Sequence, residues 1–437
     1  MARRKTNVPL NVYLNGKLVG KFRREQTGAV DFQYDASWLD WDKAIPVSLS
    51  LPLREDRYIG ASVMTVFENL LPDNADILRQ LAERTGADGT DAYSLLSQIG
   101  RDCVGALQFL PDGVAPSDPG TIDARKVSDA KIAAVLENLP RNPLGIDDDD
   151  AFRISIAGAQ EKTALLLWKK KWYVPHGTTA TTHILKPQLG VLPNGIDMSQ
   201  SVENEHFCMR LIAKLGLPAA QTKIADFDGR RVLVVERFDR HWTKDKRLLR
   251  VPQEDCCQAL SVPPTRKYQS EGGPGIQDIA ELLKGSDDAG GDRRRLFKIQ
   301  ALFWLLAATD GHAKNFSLRL SHGGRFNMTP LYDVMSAQPA HDANQIRRNQ
   351  FKLAMGVGTN RHYVVGRILP RHFIQTANAC GMPVGSMEEI LDELADSLPN
   401  ALDATISDMP DGFPAALFES IRDAALGRID QIARAGT

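Results

Sequence analysis

A chain of 437 residues with 43% hydrophobic and 24% charged residues has the composition of a soluble globular protein and is too long for one ordinary core, so two or three structural units are expected. Its 53 Lys and Arg nearly cancel its 54 Asp and Glu, which excludes a global basic field able to hold nucleic acid unaided. Five cysteines without a C-x-x-C pair argue against a disulfide framework and zinc ligation, and the longest apolar stretch, near 301–308, is far too short to span a bilayer, so a reducing cytoplasmic setting is expected.

The N-terminal stretch has basic residues but no apolar signal core, and it runs directly into strand alternation. VYL, Asn15-Gly16 and KLVGKF predict a two-residue hairpin. Helices are predicted at VMTVFENLL, at ADILRQLAERTG with Gly86 as C-cap, and at DAYSLLSQIG with Gly100 in the same role. Residues 1–110 thus read as an α/β unit. The turn-rich PDGVAPSDPG, one helix near VSDAKIAAVLENL and the acidic NPLGIDDDD make 111–150 a helix and solvated linker. From Phe152 strands return at RISIAG, TALLLWKKKWYVP, HILKPQ and TKIADFDGRRVLVVERF, with one helix at VENEHFCMRLIAKLG, so 151–250 reads as a β-rich lobe. Helical patterns dominate 251–437, from RRRLFKIQALFWLLAATD through MEEILDELADSL to FPAALFESIRDAALGRIDQIARA. A β lobe followed by an all-helical lobe predicts a two-lobed α/β (α+β) architecture with a cleft between the lobes.

Phosphoryl transfer requires a carboxylate for the acceptor hydroxyl, oxygen ligands for Mg²⁺ and a cation on the nucleotide phosphates. In TDGHAKNFS, Asp310 and Asn315 reproduce the spacing of a kinase catalytic base and its metal-binding asparagine. That spacing alone is weak, because a chain this long contains such a pair about once by chance. Asp333 in FNMTPLYDVMS adds a carboxylate where a second Mg²⁺ ligand belongs, and one Asp with one Asn suffices for Mg²⁺. Lys186 ends the apolar strand HILKPQ and can meet phosphates, with Glu203 and Glu205 on the next helix as equal candidates to orient it. VLVVERFDR turns polar where the lobes must join, so Glu236, Arg237 and Phe238 are candidates to line an adenine site. ISIAGAQEKTALL contains neither G-x-G-x-x-G nor a P-loop, yet backbone donors from Ala157 to Gln160, with Lys162, can cradle phosphates.

Together, FRISIAGAQEKTALL, HILKP, VVERFDR, TDGHAKNFSL and LYDVMS, with FENLLPDN and LLSQIGRDCVGALQF, resemble the HipA family of bacterial type II toxin serine/threonine kinases over nearly the whole chain. The resemblance implies that Asp310 is the catalytic base and that Asn315 and Asp333 bind Mg²⁺. ATP would be held by the loop Ala157, Gly158, Ala159, Gln160, Glu161 and Lys162, by Lys186, by the hinge Glu236, Arg237 and Phe238, and by His312, Tyr332 and Asp333. It also implies autophosphorylation of Ser155, which adds about two negative charges beside the ATP loop and should expel it. The implied partners are a helix-turn-helix antitoxin of the HipB kind, operator DNA reached mainly through that antitoxin, and a translation component as protein substrate, glutamyl-tRNA synthetase being the usual inference. Arg347, Arg348 and Lys352 are candidate additional phosphate contacts. Two rival readings are a small-molecule kinase of the aminoglycoside type and a non-catalytic antitoxin-binding scaffold; a metal-dependent phosphoesterase is more distant. SVPPTRKYQSEGGPG, residues 261–275, reads either as a substrate-recognition segment or as a plain loop.

Overall fold

The computed structural model describes residues 8–146 and 153–435; the acidic run at 147–150, read above as linker, lies outside the described residues. The first sheet grows from the expected hairpin. Asn15 (φ 45°) and Gly16 (φ 82°) both adopt the left-handed backbone that a tight two-residue loop demands. They join Leu10–Leu14 to Lys17–Arg24 in an antiparallel sheet ordered Tyr58–Ile59, Val30–Tyr34, Lys17–Arg24, Leu10–Leu14, Leu107–Pro111. Phe22, Phe32 and Phe109 from this sheet meet Phe67 of the helix Ala61–Glu68 in tilted and edge-on contacts, forming the centre of the unit's core. Helices Ala75–Thr85 and Ala92–Ile99 start on the side-chain caps Asn74 and Asp91. Gly86 ends the former in left-handed conformation (φ 67°), as expected. Gly100 does not: its φ is −75°, and it is required for space, since a Cβ there would lie 2.8 Å from Phe109 Cβ.

The second sheet has six strands in the order Thr222–Phe227, Arg230–Glu236, His183–Pro187, Thr163–Trp168, Lys171–Pro175, Ala124–Lys126. Its outermost strand comes from the segment read as linker. The helix Asp129–Glu137 from the same segment packs Ile132 and Leu136 on Leu165, Leu185 and Val232, so 124–137 belongs to the β lobe. The expected strand RISIAG is not one. Its backbone partners lie in the first unit: Ser155 N donates to Asp102 O at 3.0 Å, and Gly158 forms a bridge with Pro72. Ile154 and Ile156 are buried in the first unit's core, which draws the segment away from the sheet.

The C-terminal part is built around the helix Ala289–Leu306, in which every residue from Leu296 to Leu306 is buried. A helix apolar on all sides must be central, and the helices Ser201–Lys214, Ser386–Ser407 and Ala415–Ala435 enclose it in one core. Its single buried lysine, Lys298, is satisfied by Leu215 O at 3.0 Å and Glu393 at 2.6 Å. This lobe is not all-helical. Gln253–Asp255, Ser317–Leu320 and Phe326–Met328 form a three-stranded sheet, and Lys352–Val357 pairs with His362–Val364. These strands are short, three to six residues each, and so leave little alternation to read. Among the described residues no helix is long and apolar enough to cross a membrane.

Candidate active site

Asp310 stands where the central helix stops. Ala307 takes left-handed values (φ 49°, ψ 44°) and turns the chain out of the helix. Gly311 then lies against the last helical turns, where a Cβ would fall 2.2 Å from Phe303 Cε2. A tight 3-10 turn, Ala313–Asn315, follows and leads into Ser317–Leu320. Helix end, glycine and turn thus hold Asp310 and Asn315 on one short rigid loop. The Asp310 side chain is 65% exposed along the open cleft, while Asn315 is buried.

Two other segments converge on this loop. Asp333 has φ 60°, a left-handed backbone unusual for a non-glycine residue, and its carbonyl oxygen accepts from Asn315 Nδ2 at 3.3 Å. From the β lobe, Lys186 Nζ donates to Asp333 Oδ1 at 2.6 Å and to Glu205 Oε1 at 2.8 Å. The lysine's strand lies inside the six-stranded sheet, flanked on both sides, so it is not an edge-strand charge. The choice between the two glutamates is now settled: Glu205 faces Lys186, whereas Glu203 accepts from Arg231 at 2.8 Å and Gln188 at 2.7 Å.

The charges follow from this packing. Burial opposes the Lys186 ammonium, but Asp333 and Glu205 outweigh it and hold its pKa above the usual lysine value. Burial likewise opposes the Asp333 carboxylate, and Lys186 with Lys162 keeps it well below the carboxylate range. Glu205 shares a lysine already neutralised by Asp333, and burial lifts it to about 7. Asp310 is raised by the cleft walls despite its exposed surface, a rise partly countered by a hydrogen bond from Tyr268. Burial pushes His312 down to about 3, so it is neutral, and its buried Nδ1 has no hydrogen-bond partner among the described residues.

A cavity of about 540 Å³ joins these groups. Its walls include Ala157, Gly158, Ala159, Gln160 and Lys162 on one side, Glu236 and Phe238 at the hinge, and His312, Tyr332 and Asp333 on the floor. Phe238 and Tyr332 lie with ring centroids 5.7 Å apart, an aromatic wall suited to a purine. Arg237 borders the cavity, but its guanidinium points elsewhere: it binds Asp239 at 2.8 Å, Thr181 at 2.9 Å and Cys103 O at 2.9 Å, and is structural. Glu161 is absent from the cavity wall. Gly158 (φ 107°) leaves room that a Cβ would fill, 2.5 Å from Lys162 Nζ, and Lys162 donates to Ala157 O at 2.7 Å, closing the loop on itself. Ser155 is fully buried beneath this loop, its Oγ donating to Leu70 O at 2.7 Å. Arg347, Arg348 and Lys352 are exposed.

These residues fit a magnesium nucleotide. Asn315 and Asp333 offer the sparse hard-oxygen set that Mg²⁺ takes, and His312 Nδ1, without a partner among the described residues, is a buried polar atom that a ligand can satisfy. Sequence reasoning missed four residues here. Asp73, in the LPDN segment after the first unit's helix, takes Lys314 at 2.6 Å and Lys267 at 2.7 Å, and Tyr268 Oη lies 2.5 Å from Asp310 Oδ1. No local signal marks the pairing of Asp73 with lysines some two hundred residues downstream, because only the docking of the first unit creates it.

The HipA-like C-terminal domain family matches residues 154–402, and the HipA N-terminal domain family matches residues 10–110. Y4mE of Sinorhizobium fredii, a protein named as a kinase, is 33% identical over 96% of this chain and 97% of its own length. The serine/threonine-protein kinase toxin HipA of Shewanella oneidensis is 28% identical over 85% of this chain and 83% of its own. A Shewanella oneidensis structure of HipA with HipB and operator DNA superposes with a TM-score of 0.81 at 24% identity, covering 96% of both chains.

Proposed function

The chain belongs to the HipA family of serine/threonine kinase toxins, and from that premise we propose that it uses ATP and Mg²⁺ to phosphorylate serine or threonine hydroxyls, with Asp310 as the base. One observation carries the reading: Lys186 binds Glu205 and Asp333 together, while Asn315 holds the backbone of Asp333. The lysine–glutamate pair, the metal-ligand pair and the base therefore share one cavity.

ATP, when bound with Mg²⁺, supplies the phosphoryl group. Lys186 and the Gly158 loop would hold its phosphates, Asn315 and Asp333 its metal, and Phe238 with Tyr332 its base. Asp310 accepts the proton of the acceptor hydroxyl, and because its pKa is raised, transfer declines as pH falls through that raised value. Neutral His312 can accept or donate one hydrogen bond without adding charge.

Ser155 is a candidate acceptor only after movement, since its fully buried Oγ is bonded to Leu70 O. A dianionic phosphate does not fit that site, so phosphorylation would keep the segment out and empty the cradle above it, a self-limiting device. The Shewanella complex supports a HipB-like helix-turn-helix antitoxin and operator DNA as partners, and the family suggests a translation component as substrate. Intact-protein and peptide mass spectrometry after incubation with Mg²⁺-ATP, beside Asp310→Ala, tests the reading. Phosphate on the parent and none on a folded Asp310→Ala is expected; equal phosphorylation of both would remove Asp310 from the chemistry.

A further inference from the structure

Residues 263–273 form a strap along the open side of the cleft. Two 3-10 turns, Pro264–Arg266 and Gln269–Glu271, flank Lys267 and Tyr268. The strap is pinned on either side of Tyr268. Lys267 reaches Asp73 of the first unit at 2.7 Å, and Asp73 also grips Lys314 in the Asp310–Asn315 loop at 2.6 Å. On the other side Gln269 Oε1 accepts from Gly356 N at 2.7 Å and from Tyr363 Oη at 3.2 Å. Gly273 closes the strap on itself, with no room for a Cβ beside Arg266 O.

Tyr268 stands between the anchored Lys267 and Gln269. Its hydroxyl donates to Asp310 Oδ1 at 2.5 Å, and its ring stands edge-on to His312 with centroids 4.9 Å apart at 84°. Burial and the nearby Asp310 charge push the phenol's pKa up, so it keeps its proton and acts as the donor. A carboxylate accepts through both oxygens, so one bond to Oδ1 sets its rotation and leaves Oδ2 for a second donor.

We propose that Tyr268 is a positioning residue for phosphoryl transfer, holding Asp310 by one oxygen so that the other faces the acceptor hydroxyl. This rests on Asp310 being the base. As the acceptor oxygen bonds to phosphorus and the bond to the departing ADP breaks, the acceptor proton passes to Asp310 Oδ2, while Tyr268 retains its own. The ring, braced by His312, forms the acceptor-side wall of the site, and the strap makes the first unit part of the catalytic geometry through Lys267 and Asp73.

The test compares the full-length parent, Tyr268→Phe and Asp310→Ala, measuring phosphate transfer to casein and to the chain itself at saturating Mg²⁺-ATP, with ATP affinity by calorimetry. Tyr268→Phe removes only the hydroxyl. Its kcat is expected to fall about tenfold or more, the scale on which misorientation of a reacting group costs rate, with ATP Kd unchanged. Loss of a bond that favours ionised Asp310 also moves the acid limb of the rate profile to higher pH, in a setting where His312, Lys267, Asp73 and Asp333 remain unchanged. A parental rate in Tyr268→Phe overturns the proposal, and so does a faster one, which would mark the phenol as a plug in the acceptor's place. Failure of the parent to transfer phosphate in an Asp310-dependent way defeats the base assignment instead, which separates the two failures.

Discussion

Lys186 shows how much one buried charge can be asked to do. Its side chain is 7% exposed and that of Glu205 3%, so neither charge is hydrated and each depends on the other. Removing one member of a buried pair typically costs about 3–5 kcal/mol, because the remaining charge is stranded. For Lys186→Met the stranded group is chiefly Glu205, whose folded pKa is already raised to about 7 and would rise further. A carboxyl with a raised folded pKa loses stability as pH climbs from its unfolded value through its folded one. The variant should therefore be destabilised most near pH 8 and least near pH 5, as urea unfolding at the two pH values would show, and calorimetry should find ATP affinity lost at both.

At the scale of elements, the central helix and the loop it launches behave as one device. Helix Ala289–Leu306 was legible in the sequence because its apolar run is long, and the loop was legible through the contiguous string TDGHAKNFSL rather than the Asp310–Asn315 spacing alone. What could not be read was how closely they pack: Gly311 sits on the ring of Phe303, itself only 2% exposed. Gly311→Ala should cost about 1–3 kcal/mol from overpacking and displace Asp310, so denaturation midpoint and transfer rate should fall together. Unchanged stability with parental activity would show that the ring can step aside. The short strands of the C-terminal lobe were missed for the opposite reason. Three residues cannot show a period, and Gln253–Asp255 finds its partner, Ser317–Leu320, only far along the chain.

Across the whole molecule, buried polar groups fasten the first unit to the rest of the chain alongside apolar contacts. Asp102 of the first unit accepts from Arg240 and Arg250 at 2.8 Å, with Arg237 at 3.4 Å, and Asp239 bonds the backbone of Gly105 at 2.7 Å. Burial opposes the Asp102 charge, but Arg240, Arg250 and Arg237 hold its pKa well below the carboxylate range. A depressed folded pKa gives stability that is present above the unfolded value of about 4 and is lost as pH falls through the folded one. Asp102→Asn should therefore lose about 3–5 kcal/mol at pH 7, with the gap to the parent narrowing on acidification below that value. The same residue's carbonyl holds the Ser155 segment, so the variant should also loosen that segment, measurable as faster amide exchange at Ser155.

The sequence by itself determined the two-lobed architecture, the hairpin, the long helices and the family, because these depend on local periodicity and on strings of residues contiguous in the chain. It also singled out Lys186, Asp310, Asn315 and Asp333 from short motifs, and the structure brings these four to one cavity. Only the tertiary structure decided that Glu205 and not Glu203 faces the lysine, that Arg237 serves the fold, and that residues 124–137 join the β lobe. Asp73 and Tyr268 likewise reach the site only when units far apart in sequence dock. Each of these is a choice among chemically equivalent residues, and such a choice is made by which surfaces pack together, a quantity that no local window of sequence contains.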